Sequence, residues 1–121
     1  MSNQDQNSNA KKFDLEDRTT NFAEKVIIFA KKINNNPVNR PLISQLVRSA
    51  SSVAANYMEA DAAESKKDFK HKIAICRKES KESRLWLRLI ATANQFHKKE
   101  AKELWREAHE LLLIFSTIFK K

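Results

Sequence analysis

Large apolar side chains recur at Phe22, Val26, Phe29 and Ile33, spaced by four, three and four residues, so they share one face of a helix. The Thr19-Thr20-Asn21 cluster before them suits a helix N-cap, and Asn34-Asn35-Asn36-Pro37 ends the helix, because proline disfavours helical geometry in the residue before it. A second helix is expected from Pro41, a good first-turn residue, to about Ala60–Ala63. One line of it carries Leu42, Leu46, Ser49, Val53 and Asn56, with Ile43, Val47, Ala50, Ala54 and Tyr57 beside them. Ser65-Lys66-Lys67-Asp68 resembles a capping box with Asp in place of Glu. The third helix after it has the core line Phe69, Ile73, Cys76, Ser80 and Leu87 and extends to about Ala93. A connection at Thr92–His97 precedes a fourth helix with Leu104, Ala108, Leu111, Phe115 and Ile118 on one face. The pattern predicts an all-α, antiparallel up-down-up-down four-helix bundle over residues 17–121. Residues 1–16, with Phe13 and Leu15 scattered among Asn, Gln, Ser and Asp, read as a disordered polar tail.

A single bundle leaves some apolar surface unexplained. Val26-Ile27-Ile28-Phe29 point in all directions around the first helix, so Ile27 and Ile28 cannot both share the core face. The small-residue run Ser49-Ala50-Ser51-Ser52-Val53-Ala54-Ala55 would let another helix approach closely. Helices apolar on two sides are usually buried on two sides, which predicts a homo-oligomer; the alternative is that Ile27 or Ile28 is a tolerated surface residue.

Composition narrows the chemistry. The 121 residues include no glycine and only Pro37 and Pro41 as prolines. Tight sheet turns, phosphate-binding glycine loops and nucleophile elbows all need glycine, so a sheet-based nucleotide-binding or hydrolase fold is not expected. One cysteine, Cys76, leaves no internal disulfide and no cysteine-based zinc site. His71, His97 and His109 have no metal-ligand spacing, and the carboxylates show no Glu-x-x-His pattern. No catalytic residue, metal or cofactor is expected. The polar start lacks an apolar export segment, and no stretch is apolar enough to cross a membrane. Both point to a soluble cytoplasmic protein with no membrane partner.

The net charge of +8 permits attraction to nucleic acid, acidic lipid or an acidic protein. Between Lys66 and Arg88 lie nine basic and three acidic residues. Lys70, Arg77, Lys81, Arg84 and Arg88 project within about 40° of one line at 100° per residue, a ridge able to follow a phosphate backbone of RNA or DNA. The same ridge could be a solvated face, a site for an acidic protein, or a surface that meets the acidic line Glu100, Glu103, Glu107 and Glu110 of the fourth helix or of a neighbouring subunit. Trp86 and Trp105 read as core or interface anchors, although an exposed Trp86 beside Arg84 and Arg88 could stack on a base.

The run Pro41-Leu42-x-x-Gln45-Leu46-x-Arg48-Ser49-Ala50-x-Ser52-Val53-Ala54-Ala55-Asn56-x-x-Glu59-Ala60 resembles the hallmark segment of the four-helix-bundle proteins encoded within 23S rRNA intervening sequences. Ser65-x-x-Asp68-Phe69 and Lys78-Glu79-x-x-Glu82-Ser83-x-x-Trp86-Leu87 continue the likeness, which covers about residues 20 to 95; the fourth helix follows by pattern alone. At Ala60-Asp61 the chain departs from the Glu-Gly turn more usual in the family. The resemblance implies a homopentameric barrel of antiparallel protomers. It also implies kinship with the accessory variability determinant of diversity-generating retroelements, which binds nucleic acid and a reverse transcriptase through basic surfaces. It further implies that Arg48, Ser49, Ala50 and Asn56 serve packing and subunit contact, with Arg48 needing a carboxylate or carbonyl partner. The expected function is non-enzymatic nucleic-acid binding by a homo-oligomer. The alternative is a scaffold whose ridge holds an acidic or reverse-transcriptase-like protein, or closes its own barrel.

Overall fold

The computed structural model describes residues 15–121; residues 1–14 of the expected tail lie outside it. Four α-helices follow one another: α1 (Leu15–Lys32), α2 (Asn39–Asp61), α3 (Lys66–Ala93) and α4 (Lys98–Lys120), with a short 3-10 turn at Gln95–His97 before the last. No strand occurs among the described residues.

The helix starts show which local signals prevail. α1 already includes Leu15 and Glu16, so Thr19 is no cap. It is buried inside the helix, and its hydroxyl donates back to the Leu15 and Glu16 carbonyls at 2.7 and 3.1 Å, a mode of self-satisfaction open to threonine in a helix. α2 begins at Asn39, two residues before Pro41. The Asn36 Oδ1 accepts from the Val38 and Asn39 N–H groups at 3.1 and 2.8 Å and so serves the first turn. Pro41 sits in that turn, where its missing N–H is no loss. α3 opens as expected: the Ser65 hydroxyl accepts from the Asp68 N–H at 3.0 Å. At the end of α2, the Ala62 N–H reaches the Met58 and Glu59 carbonyls. No described residue has a positive φ, so Ala60-Asp61 turns the chain without glycine.

The helices form a bundle in which each packs against the next in sequence and α4 returns to α1. α3 lies closely along both α2 and α4, whereas the α1–α4 seam is the most open. Rows of buried apolar residues meet in the middle: Phe22, Val26 and Phe29 from α1, Leu46, Ala50 and Val53 from α2, Ile73, Cys76, Leu87 and Ile90 from α3, and Ala108, Leu111 and Phe115 from α4. Asn56, which spacing places on the core line, sits at its margin and donates to the Ser52 carbonyl and hydroxyl at 2.9 Å. Each fully buried large apolar side chain is worth about 1.5–3 kcal/mol, against about 0–1 kcal/mol for an exposed ion pair. The apolar rows therefore hold the fold, and the surface charges are left to other tasks. No described helix is long and apolar enough to cross a membrane.

Candidate functional site

The five basic residues aligned on α3 do not form one continuous ridge, because α4 claims part of it. Phe119 of α4 lies beneath two of them, with Lys70 Nζ 5.0 Å and Arg77 Cζ 4.3 Å from its ring centroid. Arg84 lies over Trp105, Cζ 5.4 Å from the ring, and its Nη1 is 3.0 Å from His109 Nδ1. These three side chains are half-buried, whereas Lys81 and Arg88 are exposed. A cation set on an aromatic face keeps its charge while its stem is held against the protein. The line thus consists of three braced cations and of Lys81 and Arg88, which have no carboxylate partner among the described residues.

α4 also adds to this surface. Two hollows adjoin along the α3–α4 seam and share Arg88 and Trp105 as lining. One lies among Lys78, Lys81, Arg84 and Leu85. The other has Leu87, Ala91 and Ala101 for its apolar lining, with Lys98 and Lys102 beside them. Among the described residues, neither Lys81 nor Arg88, Lys98 nor Lys102 is paired with a carboxylate. Glu82 is the acidic residue at the seam, and it is held by Arg48 at 3.1 Å. The result is a cationic strip with an aromatic side chain at its centre.

Lys98, Lys102, Trp105 and His109 follow one another by four, three and four residues, so their common line on α4 was visible in the periodicity. Periodicity does not say that this line faces the basic line of α3. Trp86 does not fill the stacking role considered for it: it lies about 200° around α3 from Arg84 and is half-buried against the core. Trp105 occupies the place beside the arginines, with His109 stacked on it at 5.1 Å and an interplanar angle of 13°.

The acidic line of α4 faces α1 within the chain. Arg18 Nε is 2.7 Å from Glu107, Arg18 Nη2 is 3.1 Å from Glu110, and Lys32 Nζ is 3.0 Å from Glu100. The hydrogen bonds that Arg18 donates to Glu107 are the main cause of a guanidinium held charged well above the usual range. Glu103 remains exposed in a shallow groove that also holds Lys25 and Ile28.

Of the residues assigned to packing and subunit contact, Ile27 and Ile28 stand outside the core, 45% and 58% exposed. Arg48 finds its carboxylates within its own chain, Nη1 3.2 Å from Glu79 and Nη2 3.1 Å from Glu82. Ser49 and Ala50 are fully buried between α2 and its neighbours, and the Ser49 hydroxyl lies 2.8 Å from that of Ser83. Cys76 is buried, and loss of solvent pushes its thiol up to about 12. No three His, Cys, Asp or Glu side chains among the described residues converge on a point that could hold a metal ion.

The model of the 23S rRNA-intervening sequence protein family matches residues 11–116. Among solved structures, the chain is similar to the crystal structure of a protein with unknown function from the S23 ribosomal protein family of Bacteroides thetaiotaomicron, at 26% identity and a TM-score of 0.80. That alignment covers 88% of this chain and 96% of the other. No curated protein matches the chain.

Proposed function

The chain belongs to the 23S rRNA-intervening sequence protein family, and we propose from this that it is a non-enzymatic, cytoplasmic, RNA-binding homo-oligomer that contacts phosphates through the α3–α4 face. The observation that carries this reading is the set of Lys81, Arg88, Lys98 and Lys102, four cations on one strip with no carboxylate partner among the described residues. Arg18, Lys32, Arg48 and Lys72, by contrast, are each paired with a carboxylate of another helix. Lys70, Arg77 and Arg84 flank the strip and contribute charge from their seats on Phe119 and Trp105.

The protomer is an up-down-up-down bundle in this proposal. Support comes from the order of its cross-helix pairs: Arg18 meets Glu107 while Lys32 meets Glu100, and Ser49 meets Ser83 while Glu59 meets Lys72. Five such protomers form a barrel through apolar side chains that the single bundle leaves outside, Ile27 and Ile28 among them. Repeating the cationic strip around a ring would sum weak phosphate contacts by avidity.

A second reading has one observation in its favour. The α1–α4 groove, where Glu103 has no cationic partner among the described residues, is acidic where the α3–α4 strip is basic, so the strip could meet the groove of a neighbouring subunit and act as a scaffold joint. Fluorescence anisotropy with a 23S rRNA fragment carrying an intervening sequence, a scrambled RNA and a DNA duplex, at several salt concentrations, tests the main reading. Binding should weaken steeply with salt, by a slope of about 0.7–0.9 per phosphate contacted. The Lys81→Glu/Arg88→Glu variant should lose it while keeping helicity and an oligomer of five times the 14.0 kDa protomer mass. No binding at low salt overturns the reading, and loss of the oligomer in the variant transfers the strip to assembly.

A further inference from the structure

The strip has a feature that phosphate binding alone does not require. Trp105 forms one side of a hollow whose other walls are Leu87, Ala91 and Ala101, with Arg88, Lys98 and Lys102 around it. The indole is held in place: His109 stacks on it at 5.1 Å, Arg84, which lines the adjoining hollow and not this one, lies over it, and Arg84 in turn is 3.0 Å from His109 Nδ1. A large side chain at position 91 or 101 would fill the space beside the indole, and the sequence places alanine at both. Ala101 is buried, so it closes the floor without projecting into the hollow.

An apolar recess with a pre-oriented aromatic wall, edged by three cations that have no carboxylate partner among the described residues, matches one kind of ligand, a flat ring attached to an anionic chain. Phosphates alone would be served by the cations on an open surface. An anionic lipid headgroup carries no flat ring to lie on the indole, a choline headgroup would set its own positive charge against Arg88, Lys98 and Lys102, and an acidic peptide has no flat ring adjoining each charge. We propose that the recess receives an unpaired base of single-stranded RNA, which stacks against Trp105 while Arg88, Lys98 and Lys102 hold the phosphates on either side of it. The proposal rests on the RNA-binding reading above and sharpens it to unpaired nucleotides. In a duplex the bases are stacked among themselves and offer the recess no free face, so a duplex meets only the cations.

The test compares a fluorescently labelled uridine decamer with a ten-base-pair RNA duplex at one salt concentration, using the full chain. The decamer should bind more tightly than the duplex. Trp105→Ala should weaken decamer binding by about 10- to 100-fold and leave duplex binding within about twofold. Trp105→Phe, which keeps an aromatic face, should retain most of the affinity, and circular dichroism checks that both variants fold. In a Trp86→Phe background the remaining indole reports directly: the decamer should quench it, and inorganic polyphosphate should not. Equal binding of decamer and duplex by every variant, with no quenching, overturns the recess and leaves the phosphate reading standing. Failure of both nucleic acids to bind overturns both.

Discussion

Asn39 and Asn94 face each other across one end of the bundle and exchange two hydrogen bonds, Nδ2 to Oδ1 at 3.0 Å in one direction and 2.9 Å in the other. Each carboxamide has a further bond, Asn39 to the Asn34 carbonyl and Asn94 to the Ile90 carbonyl. The pair therefore ties the α1–α2 connection to the end of α3. Asn39 is fully enclosed, so any group left unpaired there is not rescued by water.

Asn39→Ala should lower stability by about 1–3 kcal/mol, because it removes both hydrogen bonds to the half-buried Asn94 carboxamide and the bond to the Asn34 carbonyl. A change of 1 kcal/mol moves the melting temperature of a domain this size by about 4 °C, so thermal denaturation reads the effect. The double variant Asn39→Ala/Asn94→Ala should cost less than the sum of the two single changes.

Arg48 and Glu79 give a second case. The Glu79 side chain is 8% exposed, while that of Arg48 is 47% exposed, so the arginine brings charge compensation to a carboxylate that has little water. The hydrogen bonds that Arg48 donates to Glu79 are the main cause that keeps its guanidinium charged above its ordinary range. Arg48→Met should destabilise by about 1–3 kcal/mol through the stranded carboxylate, and Glu79→Gln in the same background should recover part of it. Arg48→Lys should recover little, since one ammonium cannot reach Gln45, Glu79 and Glu82 together as the fork does. Urea denaturation of the four proteins measures this.

Ser49 lets α2 and α3 approach closely enough for its hydroxyl to meet that of Ser83. Ser49→Ala should cost about 1 kcal/mol, with the Ser83 hydroxyl left unpaired. Ser49→Leu should cost about 1–3 kcal/mol or more by forcing the helices apart. If the leucine variant is as stable as wild type in chemical denaturation, the close approach is not what the position requires.

Cys76 predicts a pH dependence with a definite sign. Its thiol is raised from 9.0 to about 12 in the folded protein, so between those values the unfolded chain releases a proton that the folded chain keeps. The unfolded state then binds fewer protons, and stability falls as pH rises through that window. Below pH 9 the thiol contributes no slope. Native protein at pH 8 should resist iodoacetamide, reacting at the rate at which the core opens, while protein in denaturant reacts at once.

Much of the fold follows from short-range pattern. Phe22, Val26 and Phe29, or Leu104, Ala108 and Leu111, line up wherever the chain is helical, because about 100° per residue is a local property. Ser65 caps α3 for an equally local reason, its side chain and the Asp68 N–H being three residues apart. Thr19 misleads because a threonine hydroxyl can cap a helix or bond back inside one, and only the helical state of Leu15 and Glu16 separates the two.

By itself, then, the sequence determined four amphipathic helices, their buried faces and five cations on one line of α3. Which helix lies against which face was decided by packing between segments far apart in the chain. Phe119 and Trp105 of α4 settle under Arg77 and Arg84 because large aromatic surface gains most where a neighbouring helix covers it. The acidic line of α4 meets Arg18 and Lys32 of α1, not the basic line of α3. Among the described residues, Lys81 and Arg88 have no carboxylate partner for the same reason, and Lys98, Lys102 and Trp105 join them across a seam between two helices. Helical spacing fixes angles around one axis, and a surface shared by two axes exists only once they are packed.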